Sequence, residues 1–313
     1  MTMGINRRLL LSIAGGSLAG MAVLAGCSSE DPLATPSSAS SSSAAAGGSL
    51  VVGSQDYYSN EIIAELYAQA LEGGGFTVER QYRIGQREVY LPEIQAGKID
   101  VFPEYNGNLL QFLDKSATAS DTAAMQDALN KALAGNDLRV LASAEASDQD
   151  SYTVTKAFAD QHGLASIGDL SKVGGRIKIA ANSEFSTRPY GPKGLKEAYG
   201  VDAEVVPVED SGGPLTVKAL VDGTVQVADI YTADPVIAKQ GLVVLKDPKN
   251  LILPQNVVPV VSKKVDDKGA GLIEKVNAAL TAAELQKLNA RSVDEKLASK
   301  EIAKAWLGEK GLA

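Results

Sequence analysis

The chain is predicted to be an α/β protein. Short apolar runs alternate along its body with amphipathic stretches of helical spacing, and glycines or capping residues punctuate most of the changes between them. That alternation argues for mixed or parallel sheets covered by helices. Composition agrees with a folded domain: 313 residues, 45% hydrophobic and 22% charged.

The first residues belong to something else. Arg7 and Arg8 precede an apolar run over residues 9–25, interrupted by Ser12, Gly15, Gly16, Ser17 and Gly20. The run ends in Leu24-Ala25-Gly26-Cys27, and Cys27 is the one cysteine of the chain. A spanning helix needs about 20 largely apolar residues, which this run does not supply. A basic start, an apolar middle and small residues before a cysteine read as a lipoprotein signal peptide, with residues 1–26 removed and Cys27 lipidated. No thiol would then remain for a disulfide or a thiolate metal site.

Residues 27–49 are almost all Ser, Ala, Gly, Pro and Thr, with Leu33 the sizeable apolar exception. Such a stretch buries too little surface to offset its chain entropy and reads as a flexible tether. Formal net charge is −8, and −10 once Arg7 and Arg8 leave with the signal. An acidic chain argues against nucleic acid and against docking on anionic lipid, so the acyl anchor has to hold it at the membrane.

The body starts near Leu50. Residues 50–53 form a strand, and Asn60 is placed to cap a helix with Ile62, Ile63, Leu66 and Ala70 inward, stopped by Gly73-Gly74-Gly75. Phe76, Val78 and Tyr82 alternate as a second strand would. A helix over 88–96, a strand over 99–102, a helix capped by Asp121 and a strand over 138–142 follow. After Ser147-Asp148-Gln149-Asp150 a second series begins, with strands over 152–155, 176–181, 203–208, 225–230 and 242–245. Helices between them include 166–173, opened by the box-like Ser166 and Asp169, and 214–221. Residues 257–261 make a last strand before a helical end, where Thr281/Glu284 and Ser292/Glu295 have capping-box spacing.

Ligands of open α/β sheets sit beyond the carboxyl ends of strands. Three strands here run into polar or aromatic clusters there: Pro103-Glu104-Tyr105-Asn106-Gly107-Asn108, Asn182 through Pro189, and Tyr231-Thr232-Ala233-Asp234. Catalytic furniture is thin. There is no Gly-x-Ser-x-Gly, no phosphate-binding Gly-x-x-x-x-Gly-Lys-Ser/Thr and no His-Glu-x-x-His. His162 is the lone histidine and cannot build a multi-histidine metal site. The expectation is binding without chemistry and without a cofactor.

Gly53-Ser54-Gln55, residues 83–87, Gly97 through Gly107, Phe185-Ser186-Thr187-Arg188-Pro189 and Tyr231-Thr232-Ala233-Asp234 together resemble one family, in the same order. It is the solute-binding proteins of ABC importers for glycine betaine, carnitine, choline and related osmoprotectants. The resemblance implies a two-lobed periplasmic-binding-protein fold (type II) with two crossovers: lobe 1 from residues 50–148 plus 256–313, lobe 2 from 149–255. It implies a monomer that closes on solute and delivers it to an ABC permease and its ATPase. By motif, Tyr105, Tyr152 and Tyr231 fall on positions of an aromatic cage for a trimethylammonium group, and Arg188 on the arginine for a carboxylate. Tyr57 or Tyr58 is a further ligand contact.

The chain departs from the pattern where a lysine is Gln55, two threonines are Asn106 and Asn108, and a fourth tyrosine is Asn256 (or Gln255). A quaternary ammonium donates no hydrogen bond, so π faces and shape must select it. Three desolvated cation–π contacts could supply about 6 kcal/mol, against about 8 for micromolar binding. A larger or more hydrogen-bonding solute is the alternative ligand. A carboxylate-pair hydrolase and a surface scaffold without ligand are the alternative functions.

Overall fold

The computed structural model describes residues 48–117 and 122–313. The signal peptide, Cys27, nearly all of the tether and the Asp121 cap lie outside them. Among the described residues ten strands build two five-stranded sheets. In chain order the strands are β1 (Ser49–Gly53), β2 (Thr77–Gln81), β3 (Val101–Tyr105), β4 (Leu138–Val140), β5 (Tyr152–Thr155), β6 (Ile177–Ala181), β7 (Ala203–Pro207), β8 (Val227–Asp229), β9 (Leu242–Val244) and β10 (Val257–Ser262).

The first sheet runs β2-β1-β3-β10-β4 and the second β7-β6-β8-β5-β9. Each has a parallel half, closed by one reversed strand. β10 lies antiparallel to both β3 and β4, and β5 antiparallel to both β8 and β9. The chain leaves the first sheet after β4 and returns from the second before β10. This is the mixed α/β, two-lobed fold of periplasmic substrate-binding proteins. We propose lobe boundaries at 148/149 and 255/256, within the segments that link β4 to β5 and β9 to β10.

Why the sheets are buried on both faces follows from their side chains. β3 and β10 lack polar alternation, and their residues alternate instead between two apolar layers. Val101, Val257 and Val261 pack with Ile63, Leu66 and Leu71 of helix Tyr58–Gly73 and with Trp306 of helix Ser299–Lys310. Phe102, Val258 and Val260 pack on the other side with Tyr90, Leu109 and Leu129. The second sheet repeats the scheme, with Ile179 and Val227 toward one core and Ala180 and Ala228 toward the other.

Several local expectations change. Asn60 lies inside helix Tyr58–Gly73 and caps nothing; its Oδ1 accepts from the Gln55 backbone N–H (2.8 Å) and its Nδ2 donates to the Pro103 carbonyl (2.9 Å). Ser292 falls within helix Ala282–Asp294, whereas Thr281 does cap that helix, accepting from Glu284 N–H. The stretch behind the Ser166/Asp169 box is a 3₁₀ turn, Ile167–Lys172. Phe76 and Tyr82 flank β2, Phe76 joining the core and the Tyr82 hydroxyl donating to Glu65. No helix among the described residues is long and apolar enough to cross a membrane.

Candidate functional site

The site forms where strand ends of both sheets meet the two crossings. Gly53 ends β1 against β3; a Cβ there would fall 2.9 Å from the Phe102 ring, so only glycine permits the approach. β3 ends in Glu104-Tyr105. The Glu104 carboxylate is fully buried and forked onto Arg87, with Nε at 2.7 Å and Nη2 at 2.8 Å. It also accepts from the Tyr90 hydroxyl and from Tyr105 N–H. That anchor fixes the strand end that presents Tyr105. Gly107 is packed so closely on the returning crossing that a Cβ would sit 2.4 Å from the Pro254 carbonyl oxygen.

The crossings are knitted at this point. Asn106 N–H donates to the Asn256 carbonyl (3.1 Å) and Asn256 N–H to Asn106 Oδ1 (2.9 Å). Asn108 Nδ2 donates both to Asp150 Oδ2 (2.6 Å) and to Gln255 Oε1 (2.8 Å). From the second lobe, Ser151 N–H donates to Asp229 and Ala233 N–H to Asp148.

The side chains leave a cavity of about 40 Å³ in the interlobe cleft so formed. Four phenol rings line it: Tyr57 and Tyr105 from the first lobe, Tyr190 and Tyr231 from the second. Tyr57 and Tyr231 meet edge to face across the lobes, their ring centroids 5.0 Å apart. Burial holds all four phenols well above the usual tyrosine range, so they stay neutral. Further direct bonds join the lobes: Tyr58 hydroxyl to Asp234 (2.9 Å), Gln86 to Ser211 (3.1 Å) and Arg188 to Glu88 (2.9 Å).

The charge in the cleft is lopsided. Asp148, Asp150, Glu184 and Asp229 line it, and none of them makes an ion pair with another described residue. The two arginines present, Arg87 and Arg188, are already paired with Glu104 and Glu88. Burial pushes the Asp148 carboxyl up to about 7, against the opposing effect of the Ala233 N–H. Burial, reinforced by neighbouring Asp150, raises Asp229, and burial raises Glu184. Below about pH 7 the Asp148 carboxyl is therefore neutral, and a cation bound beside it would favour the ionised form. The described residues contain no cluster of three or more His, Cys, Asp or Glu suited to a metal ion.

Of the residues singled out from sequence, Gln55, Tyr57, Tyr105, Asn108, Arg188 and Tyr231 line the cleft. Tyr152 does not. It shares its strand face with Val154, packs edge to face on Phe185 at 5.9 Å inside the second lobe, and donates its hydroxyl to the Tyr190 carbonyl (2.6 Å). Tyr190, one layer nearer, takes the cleft position. Asn256 also turns away, its amide bonded to the Ala144 and Glu145 carbonyls, and Gln255 faces the cleft. Asp148, Asp150 and Asp229 escaped sequence reasoning as site residues, whereas Glu184 falls in the polar cluster over 182–189 and Tyr190 ranks there below the cage tyrosines. The signal for Asp148 and Asp150 was visible as the Ser147-Asp148-Gln149-Asp150 turn, read only as a boundary.

A cleft between two helix-covered sheets, crossed twice by the chain and lined by aromatic and acidic side chains, defines a solute-binding protein of the periplasmic class. The family described as the substrate binding domain of ABC-type glycine betaine transport systems matches residues 48–309. Glycine betaine-binding protein YehZ of Escherichia coli K12 is 30% identical over 274 residues, covering 83% of this chain and 90% of that protein. Among solved structures, one described as a glycine betaine/carnitine/choline ABC transporter superposes with TM-score 0.68 at 21% identity, over 85% of this chain and 99% of the other. Apo YehZ from Escherichia coli superposes with TM-score 0.60 at 28% identity, over 84% and 99%. The chain belongs to this family of ABC-importer substrate-binding proteins: it is an extracytoplasmic transport component, not an enzyme.

Proposed function

We propose that this protein is the lipid-anchored receptor of an importer for quaternary-ammonium osmoprotectants of the glycine betaine, choline and carnitine type. The observation that supports it most is the convergence of Tyr57 and Tyr105 with Tyr190 and Tyr231 around a space overlooked by four carboxylates that form no ion pair among the described residues. Aromatic faces attract a cation that no hydrogen bond can hold, by about 2 kcal/mol each when desolvated. The carboxylates add attraction that an apolar pocket would lack. The ligand named for YehZ, glycine betaine, enters as part of the same reading.

Tyr57 and Tyr231 touch in the present arrangement, so a solute enters when the lobes part and is enclosed when they close. Closure gives the permease a surface that reports occupancy, and a cytoplasmic ATPase drives uptake. The protein acts as a monomer held to the membrane through Cys27.

Titration calorimetry with glycine betaine, choline, carnitine and proline betaine tests the reading; no heat from any of the four would overturn it. Tyr231→Leu should weaken binding of whichever ligand responds by about tenfold or more. Unchanged affinity would remove Tyr231 from the cage. Cys27→Ala should move the protein from the membrane fraction to the soluble one, and persistence in the membrane would refute the anchor.

A further inference from the structure

The cleft does not end at Arg188. Behind that side chain lies a second chamber of about 200 Å³, which shares Asn108, Arg188 and Tyr190 with the cleft. Its remaining wall is built of Gln111, Phe112, Lys115 and residues 187–189, with Glu88 at one side. The Arg188 guanidinium stands between the two spaces, 5.7 Å above the Phe112 ring and paired to Glu88.

The chemistry of the two spaces differs in sign. The cleft sets four carboxylates against Arg87 and Arg188, whereas the chamber sets the shared Arg188 and Lys115 against the single Glu88. Lys115 makes no ion pair among the described residues. The chamber also has two buried oxygens that accept no hydrogen bond from a described residue, Asn108 Oδ1 and Gln111 Oε1. The orientation of Asn108 is fixed, because its Nδ2 donates to Asp150 and Gln255 and leaves Oδ1 free. Buried acceptors without donors are costly, and a ligand hydroxyl would relieve both.

We propose that the chamber is a second subsite, taking the anionic and hydroxylated tail of a ligand whose quaternary ammonium occupies the cleft. The class this fits is a phosphodiester of an N-methylated amino alcohol with a polyol. It rests on the cation reading of the cleft given above. A short zwitterion would put its anion among four carboxylates, with only Arg87 and Arg188, already paired to Glu104 and Glu88, to meet it. A longer one separates its charges, the anion reaching the Arg188 and Lys115 side while polyol hydroxyls donate to Asn108 Oδ1 and Gln111 Oε1.

The test is calorimetry on the full chain with choline, glycine betaine and glycerophosphocholine, repeated on Lys115→Ala and Gln111→Leu. Lys115 is exposed, so its removal leaves the fold intact. Glycerophosphocholine should bind about tenfold tighter than choline. Lys115→Ala should weaken that binding by about threefold while leaving choline unchanged, and Gln111→Leu should show the same selectivity. If choline or glycine betaine binds as tightly as glycerophosphocholine, or both variants leave glycerophosphocholine unaffected, the second subsite is refuted while the cation reading stands. If none of the three ligands binds, both fall together.

Discussion

Glu104→Ala should cost the fold about 3–5 kcal/mol, the largest effect expected of a single substitution at the site. Glu104 and Arg87 have side-chain exposures of 0% and 5%, so removing the carboxylate strands a guanidinium with no water to solvate it. The Tyr90 hydroxyl and Tyr105 N–H lose their acceptor at the same time. Urea unfolding of the variant, with Glu93→Ala as control, measures the difference. The Glu93–Lys98 pair is 40% and 62% exposed and should be worth less than about 1 kcal/mol. A Glu104 variant no weaker than the control would mean that the buried pair does not hold the strand end.

Affinity for a cation should climb with pH up to neutrality. Asp148 keeps its proton to about 7 in the folded protein because it is buried, whereas its ordinary value is 3.8. A cation beside it stabilises the carboxylate, so binding below about pH 7 expels a proton. Each pH unit can then raise the association constant by up to about tenfold per proton, levelling off above neutrality. Asp229 and Glu184, also raised, act in the same direction. The unliganded fold responds the other way. Between about 4 and 7 the unfolded chain releases the Asp148 proton while the folded one retains it, so stability falls as pH rises through that window. Titrations in two buffers of different ionisation enthalpy would count the protons. An affinity flat from about pH 5 to 8 would exclude the role of these carboxyls.

Much of the architecture was legible because short-range rules govern it. β3, β10 and helix Tyr58–Gly73 announce themselves by apolar spacing, and the Thr281 cap by its Glu284 partner. Asn60 misled for a definite reason: its side chain serves distant backbone groups at Gln55 and Pro103, which no local window reveals. Tyr152 misled through parity. A strand residue faces one side or the other, and only the position of β5 between β8 and β9 decides which side is cleft and which is core. Pairings such as Arg87 with Glu104 and Arg188 with Glu88 join segments 17 and 100 residues apart. That Asp148, Asp150 and Asp229 form no ion pair among the described residues depends on which side chains stay away from them, and linear order carries no record of that.

The position of β10 has a consequence for biogenesis. It is wedged between β3 and β4, and among the described residues β4 pairs with no other strand of the sheet. As the chain threads out of a translocation pore N-terminus first, residues 49–140 therefore arrive as an incomplete layer with β3 open along one edge. The second sheet, drawn wholly from residues 152–244, can be finished before β10 appears. The half that emerges first is thus sealed last, leaving an interval in which chaperones outside the membrane would find an unpaired strand to shield.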